Sequence, residues 1–103
     1  MSIDPSEWRT DATSDLLETI LALPDRDSAE RFFRDLCTFK ELHDLAQRWH
    51  VVRLLDDGIS YSEISRRTGA STATVTRIAQ WLNHGAGGYR DALDRDATEE
   101  DAR

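Results

Sequence analysis

SYSEISRRTGASTATVTRIAQWLN, residues 60–83, reads as two short helices joined by a tight turn. Ser60 and Glu63 have the spacing of a capping box: the serine hydroxyl accepts from a first-turn amide, and the glutamate reaches back to the amide of the cap. The helix they open is expected to end near Thr68. Gly69 then lets the chain leave through a left-handed conformation at little cost. Ser71 caps a second helix that continues to about Asn83. Ile64, Ala70, Val75 and Ile78 fall where a helix-turn-helix needs a buried stitch, and Ser65 is small where the helices approach.

The opposite face of the second helix carries Thr72, Ala73, Thr76 and Gln80, short or polar and without an acid. Such a face fits the major groove of duplex DNA and meets base edges. Ala73 and the threonine methyls suit a thymine methyl, and glutamine pairs with adenine. Arg77 lies near the same side and can meet a base or a phosphate. Arg66, Arg67, Ser71 and the free amides at the start of the second helix are the candidate phosphate contacts.

The chain has 103 residues and a formal net charge of −7, which argues against nucleic acid until its distribution is read. Residues 61–90 hold Arg66, Arg67, Arg77 and Arg90 against one acid, Glu63, a local net of +3 that leaves −10 on the remainder. Affinity for phosphate follows the charge that faces it. A core of this size is marginal, so burial shared with a second copy is useful. No apolar run approaches membrane-spanning length, no signal-peptide pattern opens the chain, and the single Cys37 excludes an internal disulfide framework. A cytoplasmic location without a membrane partner is expected.

Outward from the helix-turn-helix, the pattern predicts an all-α chain of five or six helices. Residues 1–11 read as a flexible arm with Trp8 as its large anchor, 12–93 as one helical dimerisation and DNA-binding domain, and 94–103 as a disordered acidic tail. A first helix is expected over 13–23, with Leu16, Leu17, Ile20 and Leu21 apolar and Pro24 ending it. Asp27 with Glu30 reads as a capping box for a second helix, buried through Phe32, Phe33 and Leu36. Thr38 with Glu41 reads as another, opening a long helix to about Asp57 with Phe39, Leu42, Leu45, Ala46, Trp49, Val52 and Leu55 at helical spacing. The first two helices are apolar over too wide an arc for one covering surface. In a short chain a second subunit is the natural cover, and a dimer would set two recognition helices about 34 Å apart for a near-palindromic site.

No catalytic constellation is present, and no enzyme is expected. His43 and His50 stand two turns apart, roughly 10 Å at the helical rise, too far to share a metal ion. The glycines at 85, 87 and 88 lack the lysine and hydroxyl residue of a phosphate-binding loop. Arg48 and Arg77, beside Thr38 and Thr74, outline a possible ligand cleft in which two guanidiniums would hold a carboxylate. The simpler alternative pairs Arg48 with an acid such as Asp44 and leaves Arg77 to phosphate. No cofactor is expected, and any small-molecule effector is unknown.

The stretch QRWHVVRLLDDGISYSEISRRTGASTATVTRIAQWLNHGAGGY, with TGASTATVTR at its heart, resembles the DNA-binding half of the Trp repressor superfamily and most closely its small YerC/YecD-type branch. The resemblance spans residues 38–83 and implies a Trp repressor-like intertwined helical homodimer that regulates transcription. It also implies that Arg48 and Arg77 match the two arginines that grip the tryptophan corepressor, and that Thr38 matches the threonine beside them. Two positions depart: Ile78 replaces the glycine that leaves room for the indole ring, and Trp81 replaces the serine that meets the ligand amino group. Overpacking of that kind costs about 1–3 kcal/mol before any ligand enters. The expectation is a sequence-specific DNA-binding regulator, a repressor, acting on double-stranded DNA as a homodimer without tryptophan. The alternative is a helical dimer working through protein contacts, with its helix-turn-helix as fold only.

Overall fold

The computed structural model describes residues 7–101, with side chains through Thr98. Among these residues the chain forms six helices and no strand: α1 Asp11–Leu21, α2 Arg26–Leu36, α3 Phe39–Asp56, α4 Tyr61–Thr68, α5 Thr72–His84 and α6 Gly88–Asp101. Two compact units divide between Leu42 and His43.

The first unit holds α1, α2 and the start of α3. α1 begins earlier than expected because Thr10, not a later residue, caps it, accepting from the Thr13 amide at 3.1 Å. The end of the arm read over 1–11 is therefore the cap and first residue of α1, and residues 1–6 lie outside the described residues. α1 also ends earlier, at Leu21, because proline at 24 disfavours helical geometry at the residue before it. α2 is capped by Asp25, which accepts from the Ser28 amide at 2.8 Å. The box expected from Asp27 and Glu30 does not form. Those acids lie inside the helix and pair four residues along it, Asp27 with Arg31 and Glu30 with Arg26. The bonds from Ser28 hold the Asp25 carboxyl below its ordinary range. α3 opens with the reciprocal box as read: the Thr38 amide donates to Glu41 Oε1 at 2.9 Å and the Glu41 amide to Thr38 Oγ1 at 3.0 Å.

None of the described residues of this unit is buried. Phe32 and Phe33 are half-buried and meet edge to face at 5.8 Å, while Leu17, Leu21, Leu36 and Phe39 are exposed. Leu36 thus does not join the buried stripe expected of α2.

The second unit has a continuous apolar core of Val51, Val52, Leu54, Ile64, Ala70, Val75, Ile78 and Leu93. Trp49, Leu55, Ile59, Leu82 and Tyr89 pack against it. Along α3 burial begins only at Val51, so Phe39, Leu45 and Ala46 stay exposed although they continue the apolar spacing. Only the C-terminal part of α3 belongs to the core that α4, α5 and α6 share.

α6 overturns the expected disordered tail from Asp94: the helix runs through Asp101, and residues 102–103 lie outside the described residues. Leu93 seats it in the core, Tyr89 lies 6.3 Å from Trp49, and some of its charges are paired. Arg90 reaches Asp56 of α3 at 3.1 Å, Asp96 pairs with Arg53 of α3, and Arg90 also pairs with Asp94 one turn on. Gly85 ends α5 at a point where a Cβ would stand 2.4 Å from the carbonyl oxygen of Trp81. That close approach, rather than flexibility alone, explains a glycine there.

Candidate nucleic-acid interface

The turn between α4 and α5 is fixed by bonds that the small residues make possible. Ser65 Oγ donates to the Ala70 carbonyl at 2.6 Å. Thr68 Oγ1 donates to the Ile64 carbonyl at 2.8 Å and accepts from the Ala70 amide at 3.2 Å. Gly69 takes the left-handed conformation at φ 79°, as its position predicted. Gln47 of α3 adds a tether that sequence pattern did not single out: its Nε2 donates to the Thr68 carbonyl at 2.9 Å. A glutamine on a helix face carries no local signal for a bond spanning 21 residues.

Ile64, Ala70, Val75 and Ile78 are all buried, joined on α5 by Ala79. α5 consequently has one fixed outward side. Thr72, Ala73, Thr76, Arg77 and Gln80 are exposed on it. No acid occurs between Glu63 and Asp91, so nothing on the helix opposes an approaching phosphate. Thr76 Oγ1 donates to the Thr72 carbonyl at 2.9 Å, which engages its proton within the helix. Ser71 caps α5 by accepting from the Thr74 amide at 3.1 Å and donates to Thr74 Oγ1 at 3.0 Å. The first amides of α5 at Thr72 and Ala73 precede that capped position, at the positive end of the helix dipole.

Arg66 and Arg67, in the last turn of α4, are exposed but not free. Glu63 holds both. Arg66 grips it with two bonds, Nε to Oε2 at 2.9 Å and Nη2 to Oε1 at 2.5 Å, and Arg67 Nε reaches Oε1 at 2.9 Å. The bonds from Arg66 and then Arg67 hold the Glu63 carboxyl down at about 2, well below the usual carboxylate range. The capping box read at this site is therefore only half formed. The Glu63 amide donates to Ser60 Oγ at 3.3 Å, while the carboxylate goes to the guanidiniums instead of the cap amide. Charge-assisted bonds outcompete one neutral amide.

The cleft outlined by Arg48 and Arg77 is small, about 100 Å³, and is lined by Arg48, Thr74, Arg77, Ile78 and Trp81. Thr38 does not line it and is occupied in the cap of α3. The Arg48 guanidinium stands 5.6 Å from the Trp81 ring centre, in cation–π reach of the indole. Ile78 is fully buried there. Sites for small organic ligands usually offer about 300–1,000 Å³, so this cleft is well below that range. Among the described residues no cluster of histidine, cysteine or carboxylates could hold a metal ion, and no helix is long and apolar enough to cross a membrane.

The model of the family described as Trp repressor protein matches residues 11–97. The uncharacterized protein YerC of Bacillus subtilis (strain 168) is 49% identical over 80 residues, covering 78% of this chain and 77% of its own length. A Trp operon repressor homolog of Chlamydia trachomatis serovar L2 is 29% identical over 84 residues, 77% of this chain and 89% of that protein. The crystal structure of a TrpR-like protein from Eubacterium eligens superimposes with a TM-score of 0.84 at 39% identity, over 89% of this chain and 95% of the other. A second solved structure, from Staphylococcus aureus, also gives a TM-score of 0.84, at 36% identity over 93% of this chain and 96% of its own. With the helix-turn-helix geometry, these matches identify the chain as a DNA-binding regulator of the Trp repressor family, in its YerC-type branch.

Proposed function

We propose that the chain is a cytoplasmic transcriptional repressor that binds a near-palindromic operator as a homodimer and does so without tryptophan. The observation that carries this reading is the outward face of α5, where Thr72, Ala73, Thr76, Arg77 and Gln80 stand exposed on a helix without acids. Those residues would meet base edges, while Ser71, Arg66, Arg67 and the first amides of α5 hold phosphates. Arg77 forms no ion pair among the described residues, which leaves its guanidinium available to either.

The homodimer is supported by the first unit. Leu21 and Phe39 are 86% and 73% exposed, and Leu17 and Leu36 are exposed as well. Exposed apolar surface on this scale marks a surface meant for association. Independence from tryptophan is supported by the size of the cleft, about 100 Å³, and by the Ile78 and Trp81 side chains that line it beside Arg48.

The test is binding of the purified protein to random duplex DNA at two salt concentrations, followed by selection and sequencing of bound sites. Enrichment of a palindrome with half-sites about one turn apart supports the reading. If Thr72→Glu with Thr76→Glu leaves DNA binding intact, α5 is not the reading helix. Micromolar tryptophan binding by calorimetry would overturn the effector-free part.

A further inference from the structure

We infer that Glu63 is an internal competitor for DNA phosphate, holding Arg66 and Arg67 in the free protein so that Arg66 must exchange a carboxylate of its own chain for the duplex backbone. The inference rests on the reading of α4 and α5 as the DNA surface and adds a regulator of that surface.

The geometry makes the competition specific. Arg66 meets Glu63 through two roughly parallel bonds at 2.9 and 2.5 Å, the same fork a guanidinium offers a phosphate. A phosphate approaching Arg66 therefore meets a site already taken. Arg67 meets the carboxylate only through Nε, at 2.9 Å, so its two terminal nitrogens are left to take a phosphate while the Nε bond persists. Arg66 is sheathed, and Arg67 is held in readiness. Arg66 and Glu63 are one turn apart on one rigid helix, so the pair forms without moving the backbone. The contact lies at the surface, with the Arg66 side chain 71% exposed, which keeps exchange cheap enough for DNA to win. Glu63 stays ionised throughout the physiological range, so the competitor is not switched by pH.

The consequence reaches beyond one contact. Non-specific binding rests on phosphates alone, whereas a specific complex adds base contacts. A carboxylate that withholds one guanidinium weakens every complex, and the phosphate-only complexes are the ones it pushes below useful occupancy. A chain with only four arginines and no lysine in residues 61–90 thus tempers even that positive charge.

The experiment is a double-mutant cycle on the full chain with a random-sequence duplex, read as binding constant against salt from 50 to 200 mM. Glutamine at 63 keeps the length of the side chain and the amide that meets Ser60, so α4 is retained; circular dichroism and thermal unfolding verify this. Glu63→Gln is expected to bind about two- to fivefold tighter at the lowest salt. Its salt slope should steepen by up to about 0.9, because a freed Glu63 no longer recruits a cation to offset the one released from DNA. In the Arg66→Ala, Arg67→Ala background the same substitution should change little. Unchanged or weaker binding by Glu63→Gln overturns the inference, and so does a gain that persists without the two arginines, which would be a general field effect. A wild-type protein and variants that bind no duplex at any salt would overturn the DNA reading itself, an outcome distinct from the other two.

Discussion

Ile64 and Phe39 are both large apolar residues on helices, yet Ile64 has no exposed surface and Phe39 is 73% exposed. The contrast extends to their units. From His43 onward the chain closes eight buried residues into one core, whereas no described residue up to Leu42 is buried. A helix pair with apolar residues on several sides and nothing over them is not a finished domain. The difference teaches how the two units are built: the second holds α5 on a closed apolar core, and the first carries the exposed apolar surface on which the proposed dimer rests.

The largest expected effect breaks the frame. Ile64→Ala removes a fully buried side chain and should cost about 2–5 kcal/mol, since the cavity adds to the lost transfer energy. Thermal unfolding should show a large drop in midpoint, with DNA binding lost at temperatures where the variant is unfolded. Phe39→Ser tests the other unit. On an isolated chain a change at so exposed a residue should cost within about 0.5 kcal/mol. If a second subunit covers Phe39, the loss rises to about 1.5–3 kcal/mol per subunit and appears as dissociation on dilution. Sedimentation at several concentrations separates the two, and a variant that associates like the wild type would erase the proposed contrast. Gly69→Ala sharpens the comparison within the frame. At φ 79° a side chain costs about 1–2 kcal/mol, and no core contact is removed, so the loss should be smaller than at Ile64.

The frame was legible in the sequence because its instructions are local. Ser60 and Ser71 announce helix starts, Gly69 announces the left-handed exit between them, and Ile64, Ala70, Val75 and Ile78 occupy the spacing of the stitch. What escaped reading depends on competition or on distance. At α2 the box pattern favours Asp27 with Glu30, yet Asp25 beside Pro24 caps the helix through the Ser28 amide alone, with no glutamate reaching back. At α4, the carboxylate of Glu63 has a cap amide and two guanidiniums in reach, and the charged partners win. At α6, a string of aspartates looks like a solvated tail until Arg53 and Arg90 couple it to α3, and Asp96 stands 43 residues from its partner. Burial along α3 escaped for a similar reason, since apolar spacing runs unbroken from Phe39 to Leu55 while the covering helices reach only its later part.

The smallest effect compares caps rather than cores. Asp25 and Glu41 in the first unit and Glu63 in the second all have carboxyls held below their ordinary values, the first two by the amide and hydroxyl at Ser28 and Thr38, the third by two arginines. A carboxyl whose folded value is depressed stabilises the fold above its unfolded value and loses that contribution as pH falls through the folded one. For Glu63 the window runs from about 4.5 down to about 2. Stability should therefore be level with respect to these groups near neutrality and decline below about pH 4.5 in both units. Glu63→Gln should remove the share of that decline that Glu63 contributes across its window, from about pH 4.5 down to about 2. Salt should separate the units further. The attraction of Glu63 to two full charges is screened, while the bonds of Asp25 and Glu41 to uncharged amides and hydroxyls are screened less. Acid unfolding followed at low and high salt, in wild type and Glu63→Gln, reads this directly. If added salt shifts the acid limb equally with and without glutamate at 63, then its arginines do not stabilise α4, and the two units differ in burial alone.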